Sequence, residues 1–557
     1  MRKIGADLFL FLLLLCLIMG FSHYFARFSA PLTDRVYIDL SLKNLPLYAF
    51  FSLSRGLLAL AVSFLFSLLW GFWAAKDKVA EKFLIPLLDV LQSIPFLGFL
   101  PGVVLLLIGF FPKNNTGLEL AAIIMMFTSQ VWNMAFGVYQ SIRTVPLEKN
   151  ECATAFKFSN FQRFRWVELP FALLSLIWNS IMSMAGGWFF LMINEAFTLG
   201  NRDFRLPGLG SYMSVAASRG DVPSMLYAII AMVALIVLIN QLLWRPLVAW
   251  SQKLRVEEIS SKIQQEAWFL NLLRNSYLIG WLRSLYRKTV CFCQNQMAKR
   301  KEKPDAHHTW AVASRGLLFF LFVLLTIAVI YLFGLIKNVS LIQWLFLSKM
   351  LLFTFLRVFL CVSISVLIMV PVGLAIGLSE KWCRLLEPII QVTASFPATL
   401  LFPSLVLVFH LLGIPLTIGS IVLMLMGTQW YVLFNVIAGA KAMPSDLKEV
   451  ATSFSFSRRQ RFLELNIPAI FPYLITGILS ASGGAWNASI VSEYVSYKGQ
   501  VWTTLGIGSS ISLAAQNNDF PLLAASVLLM VVLVVTINYQ VWRRIYHYSE
   551  KRFALNE

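Results

Sequence analysis

Apolar runs long enough to cross a bilayer recur along this chain, and the last six repeat the first six. They lie near 7–26, 47–75, 83–111, 118–138, 171–193 and 224–244. They return near 314–336, 350–378, 385–411, 414–438, 469–491 and 521–542. About twenty apolar residues suffice for a helix to span the hydrocarbon core, and only helices and closed barrels satisfy their backbone there. The pattern predicts an all-α polytopic membrane protein with twelve transmembrane helices, six per half. Composition agrees, with 58% hydrophobic and 13% charged residues, against roughly 25% charged in a soluble domain.

Identical residues held at one offset make this a tandem duplication. Trp132, Pro146, Glu151, Pro170, Trp188, Glu195, Gly208, Gly210, Asp221, Asn240, Trp244 and Arg245 each find their like 298 positions later. Upstream the offset is 302, pairing Arg55 with Arg357, Gly71 with Gly373, Ser93 with Ser395, Pro95 with Pro397 and Pro101 with Pro403. The change falls in the short loop 112–117, where an insertion is cheap. An even number of spans per half gives both halves one orientation, so the pseudo-two-fold axis is expected along the membrane normal. Three parts follow: a first repeat over 1–245, a basic amphipathic linker over 246–312, and a second repeat over 313–557.

The formal net charge is +19. The cations cluster between spans, which points to positive-inside bias and anionic lipid rather than nucleic acid. Arg143, Lys149, Arg163 and Arg165 fill one loop, and Lys441, Lys448, Arg458 and Arg459 its repeat. Those loops and both termini are expected in the cytoplasm. The linker interleaves Trp268, Phe269, Leu272 and Trp281 with basic residues, as in helices lying in a headgroup plane. The run 8–20 follows Arg2 and Lys3 without a small-x-small cleavage site and is read as a retained span. The six cysteines show no metal-ligand spacing, Cys291-Phe292-Cys293 included, and free thiols and no metal site are expected.

The two basic loops carry the most specific motif. The first reads Glu151-Cys152-Ala153-Thr154-Ala155-Phe156 and closes at Glu168-Leu169-Pro170. The second reads Glu449-Val450-Ala451-Thr452-Ser453-Phe454 and closes at Asn466-Ile467-Pro468. This stretch resembles the EAA loop of permease subunits of ATP-binding-cassette (ABC) importers. Cys152 and Val450 replace the first alanine, and Lys157 and Ser455 stand where that family's glycine usually is. The resemblance implies a short coupling helix docked on an ATPase subunit. Glu151, Ala153, Phe156, Leu169 and Pro170 would act there in the first half, and Glu449, Ala451, Phe454, Ile467 and Pro468 in the second.

Candidate pathway residues also come in pairs. Pro95 and Pro101, with Pro397 and Pro403, interrupt the third and ninth runs, and matched breaks in two halves point to a midplane site. Small residues precede an aromatic in Ala185-Gly186-Gly187-Trp188 and Gly483-Gly484-Ala485-Trp486, a pattern that lets helices approach closely. Trp188 and Trp486 would line the path or pack beside it. Glu195 and Glu493 follow two turns later. Arg55 and Arg357 lie inside spans two and eight, where an arginine costs about 2.5–3.5 kcal/mol on insertion scales. They would attract an anion, pair with the glutamates, or snorkel outward. The Gly-Trp-Glu run, the proline-rich third span and Trp244-Arg245-Pro246 resemble the nitrate/sulfonate/bicarbonate (taurine-type) subgroup of ABC permeases, in a duplicated form.

The sequence contains no G-x-x-x-x-G-K-[ST] phosphate loop, and Gly208-Leu209-Gly210 with Gly506-Ile507-Gly508 lack a βαβ setting. The expected function is the permease subunit of an importer in the bacterial inner membrane. It has no cofactor of its own, since ATP and magnesium would be bound by two partner ATPases. A solute-binding protein and a small anion such as nitrate, bicarbonate or a sulfonate complete the set. Two alternatives stay open: an ion-gradient-driven secondary transporter and a sensory membrane protein.

Overall fold

The computed structural model describes residues 2–32, 36–93, 95–199, 202–251, 268–277, 279–280, 283–284, 306–443, 445–542, 544–545 and 548. Among them ten helices are long and apolar enough to cross a membrane, and two bent pairs bring the total to at most twelve. The first half contributes Arg2–Ala26, Leu45–Lys76, Thr116–Arg143, Leu169–Phe189 and Val222–Ile239. The second contributes Ala306–Ile336, Leu341–Gly377, Leu416–Ala442, Ile467–Ser492 and Phe520–Ile537.

The third and ninth apolar runs are not single helices. Lys78–Ser93 is followed by a 3-10 turn, Phe96–Phe99, and a helix, Leu100–Phe110. Glu380–Ser395 is followed by Ala398–Leu412. The bends are 87° and 82°. Pro95 and Pro397 make them, with ψ of 94° and 101° that no helix contains. Phe396, just before Pro397, is likewise driven to ψ 131°. Pro101 and Pro403 do not interrupt anything. Pro101 opens its helix, where a missing donor is harmless, and Pro403 lies within an unbroken one.

The pieces beyond each bend pack into the opposite half. Leu400, Phe402, Val406 and Phe409 join a core with Phe51, Met184, Met213 and Met232 of the first half. Leu97, Leu100 and Val104 join Val358, Trp486, Ile511 and Val527 of the second. At Gly98 a Cβ would stand 2.6 Å from Val527 Cγ2, so this crossing needs a residue without a side chain. The seventh span also crosses over: Leu318 and Leu321 pack against Trp70 and Trp73, and the Trp73 indole donates to Ser314 Oγ at 2.9 Å.

Two β-hairpins, absent from the sequence expectation, lie at the end away from the basic loops. β1 (Ala196–Leu199) pairs with β2 (Arg202–Arg205), and β3 (Tyr494–Tyr497) with β4 (Gln500–Thr503), all antiparallel. Lys498 and Gly499 turn the second at φ 51° and 71°, the two positive values of a type I′ turn. Both hairpins also lie against the other half. Phe197 and Phe204 pack with the core of the second half, while Val495, Tyr497 and Trp502 pack with the first. In the linker, helix Trp268–Asn275 buries Phe269, and Ser276 donates to Asp7 of the first span. Cys291, Cys293 and the basic run 299–301 lie outside the described residues.

Candidate functional site: paired short helices and paired buried ion clusters

The two EAA-like stretches fold as short helices, Leu147–Ala155 and Ser445–Ser453. Both end in the same closing turn. The Phe158 amide donates to Ala153 O at 2.9 Å and the Lys157 amide to Thr154 O at 3.0 Å. Phe456 and Ser455 donate to Ala451 O and Thr452 O, each at 3.0 Å. This Schellman closure requires a left-handed residue just past the helix, and Lys157 (φ 50°) and Ser455 (φ 51°) supply it. The backbone that a glycine would adopt is therefore kept without the glycine, at a cost of roughly 1–2 kcal/mol per site.

Each short helix offers the same chemistry to solvent. Glu151 and Glu449 are exposed, Phe156 and Phe454 are each 75% exposed, and Ala153 and Ala451 are buried. Leu169-Pro170 and Ile467-Pro468 begin the fifth and eleventh spans, each after a π-helical stretch. The fastenings differ between halves. Glu168 pairs with Lys76, and Arg163 donates to Asn150 Oδ1 at 2.8 Å. The equivalent positions hold Asn466 with Leu378, and Arg461 with Lys448, which cannot form those pairs.

At the opposite end the arginines and glutamates meet. Arg55 Nη1 donates to Glu195 Oε1 at 2.7 Å and to Pro207 O at 3.0 Å. Ser52 Oγ donates to Glu195 at 2.6 Å and accepts from the Leu209 amide, and the Gly210 amide donates to Glu195 Oε2 at 2.7 Å. The second half repeats this almost atom for atom. Arg357 Nη1 serves Glu493 at 2.8 Å and Leu505 O at 2.7 Å, Thr354 takes the place of Ser52, and the Gly508 amide donates to Glu493 at 2.9 Å. Gly208 and Gly506 are explained here, since a Cβ on either would lie 2.3 or 2.1 Å from a glutamate oxygen.

One member of the first cluster escaped the sequence reading. Glu119 binds Arg55 through both oxygens, at 2.7 and 2.8 Å. Its repeat position is Thr417, so comparing the halves gave no signal for it. Trp188 and Trp486 are almost fully buried beside the second span of their own half. Trp188 closes on Gly56, and Trp486 stacks with Phe355 at 6.4 Å. Gly186 and Gly484 both face Tyr431, a residue whose repeat position is Asn133 and which the sequence did not flag. A Cβ at Gly186 would lie 3.9 Å from the Tyr431 hydroxyl and one at Gly484 3.2 Å from its ring. Tyr431 thus stands where the two halves meet.

A family model described as "Binding-protein-dependent transport system inner membrane component" matches this chain twice, over residues 67–245 and 369–554. The chain belongs to that family. Each match holds one short exposed helix and the fifth and sixth spans of its half, so the family's domain occurs twice in this chain. Curated relatives include the bicarbonate transport system permease protein CmpB of Synechococcus elongatus, 29% identical over 28% of this chain and 53% of its own length. The nitrate import permease protein NrtB of the same organism is 28% identical over 23% and 45%. The taurine transport system permease protein TauC of Escherichia coli is 28% identical over 32% and 60%. The chain spans about half the length of the curated relatives it matches.

Proposed function

We propose that this chain is the membrane-spanning component of an ATP-driven importer of a small anion, with both members of the usual permease pair on one polypeptide. The supporting observation is the matched pair of short helices, Leu147–Ala155 and Ser445–Ser453. Each presents a glutamate and an aromatic at one end of two interlocked halves. Two cytoplasmic ATPase subunits, which would bind ATP and magnesium, dock there through Glu151, Phe156, Glu449 and Phe454. Both termini lie on that side, in a bacterial inner membrane, with anionic lipid against the basic linker. A solute-binding protein delivers solute to the hairpin end.

In the cycle, ATP-driven closure of the ATPases moves the short helices together. Leu169-Pro170 and Ile467-Pro468 pass that motion into the fifth and eleventh spans. Gly186 and Gly484, on either side of Tyr431, flank the passage, with Trp188 and Trp486 holding its walls. The Arg55–Glu195 and Arg357–Glu493 clusters keep the hairpin end of each half rigid while the halves rock. The names of the relatives favour bicarbonate, nitrate or a sulfonate as cargo.

The test is affinity purification from the native host followed by ATPase and uptake assays. An ATPase should co-purify, and Glu151→Arg with Glu449→Arg should abolish both co-purification and uptake. Uptake in liposomes driven by an ion gradient without ATP would favour a secondary carrier instead.

A further inference from the structure

The two ion clusters are unequal, and the inequality opens a space. In the first half the Glu119 carboxylate covers the Nε–Nη2 edge of Arg55 and accepts from the Tyr24 hydroxyl at 3.0 Å. Residues 36–44, ahead of the second span, fold over the same place. Ile38 is buried, Tyr212 donates to Leu40 O at 2.8 Å, and Tyr48 accepts from the Asp39 amide at 3.2 Å. In the second half each of these is smaller or missing. Thr417 stands for Glu119, Met350 for Tyr48 and Ser510 for Tyr212, and the covering connection shrinks to 337–340.

What remains is a cavity of about 420 Å³. Its lining includes the hydroxyl-bearing Thr417, Thr504 and Ser510 and the apolar Phe346, Met350 and Leu505. Arg357 stands behind Thr504. Its Nη2 donates to Thr504 Oγ1 at 2.9 Å, and the Thr504 and Thr417 hydroxyls are hydrogen-bonded to each other at 3.2 Å. Among the described residues no carboxylate takes the edge of Arg357 that Glu119 takes on Arg55. The wall also contains Asp519, but its Oδ1 is engaged by the Leu522 amide as a helix cap.

We propose that this cavity binds a small carboxylate with an apolar body. The head sits against Thr417 and Thr504, where the first half has its own carboxylate, and the body lies on Phe346, Met350 and Leu505. A site of this size suits a small molecule, and hydrogen bonds between an ionised acceptor and donors backed by a guanidinium are of the stronger kind. The site is separate from the passage at Tyr431 and does not depend on the transport reading.

Benzoate is a suitable probe, added to the full chain in nanodiscs while thermal unfolding is followed. Benzoate should raise Tm saturably, and neutral benzamide should not. Thr417→Glu rebuilds the first-half arrangement and should fold, yet weaken benzoate at least tenfold, about 1.4 kcal/mol. Ser510→Tyr fills the space without charge and should weaken it equally, which decides the matter if Thr417→Glu fails to fold. No saturable shift with benzoate, equal shifts with benzamide, or undiminished binding in the folded variants would overturn the proposal.

Discussion

Arg55 and Glu195 are each 1% exposed, and Glu493 is fully buried. A buried pair adds little net stability over an apolar replacement, but removing one partner typically costs about 3–5 kcal/mol. The cost should differ between halves. After Glu195→Gln, Arg55 retains Glu119, whereas after Glu493→Gln, Arg357 keeps no carboxylate, only the Thr504 hydroxyl and the Leu505 carbonyl. Glu493→Gln is therefore expected to be the more damaging, near the upper end of that range, as measured by unfolding in nanodiscs. Gly208→Ala should abolish folded yield by driving a methyl into Glu195, while Gly102→Ala, with no neighbour within 4 Å, should be silent. Lys157→Gly and Ser455→Gly should each raise stability, by up to about 1 kcal/mol once the added freedom of the unfolded chain is offset. The repeat made Arg55 and Glu195 visible, because selection at two equivalent places leaves two copies to compare. Glu119 and Tyr431 were illegible for the same reason, since their partners are Thr417 and Asn133.

At the scale of elements, the short helices share a shape but differ in how they are held. Glu168→Gln removes the negative charge that pairs with Lys76 and Arg163. Hydrogen exchange should then rise across 147–163 and stay unchanged across 445–461, a local loss of roughly 1–2 kcal/mol. Equal change in both would mean that the fastening does not set the difference. Long apolar periodicity was enough to place ten spans and to mark the proline breaks, because helix length in a bilayer is set by hydrocarbon thickness. It could not show that Pro101 and Pro403 leave their helices intact, since Pro101 falls in the first turn of its helix and Pro403 further in, a difference that helix boundaries alone reveal. The hairpins were hidden because four residues cannot display an alternation between two long helical runs.

At the scale of the whole molecule, the halves are interlocked rather than juxtaposed. The seventh span is tied to the first half where Ser314 donates to Asp77. That hydroxyl, with the amides of Val79 and Ala80, holds the Asp77 carboxyl below the usual range. Because the folded value is depressed, the tie contributes fully above the unfolded value near 3.8 and is lost as pH falls through the folded value. Ser314→Ala should cost roughly 1–2 kcal/mol at neutral pH, because it also strips the acceptor from the Trp73 indole. The difference from the unaltered protein in thermal scans should shrink in acid to the share owed to Trp73, and a difference independent of pH would locate the effect outside the Asp77 bond. The far end is latched differently. The Lys498 amide, at the tip of one hairpin, donates to Ala217 O of the other half at 3.1 Å, and β1 and β2 rest reciprocally on the second half. Two tongues, each lying on the opposite lip, fasten that face at two places. Any parting of the halves there has to release both.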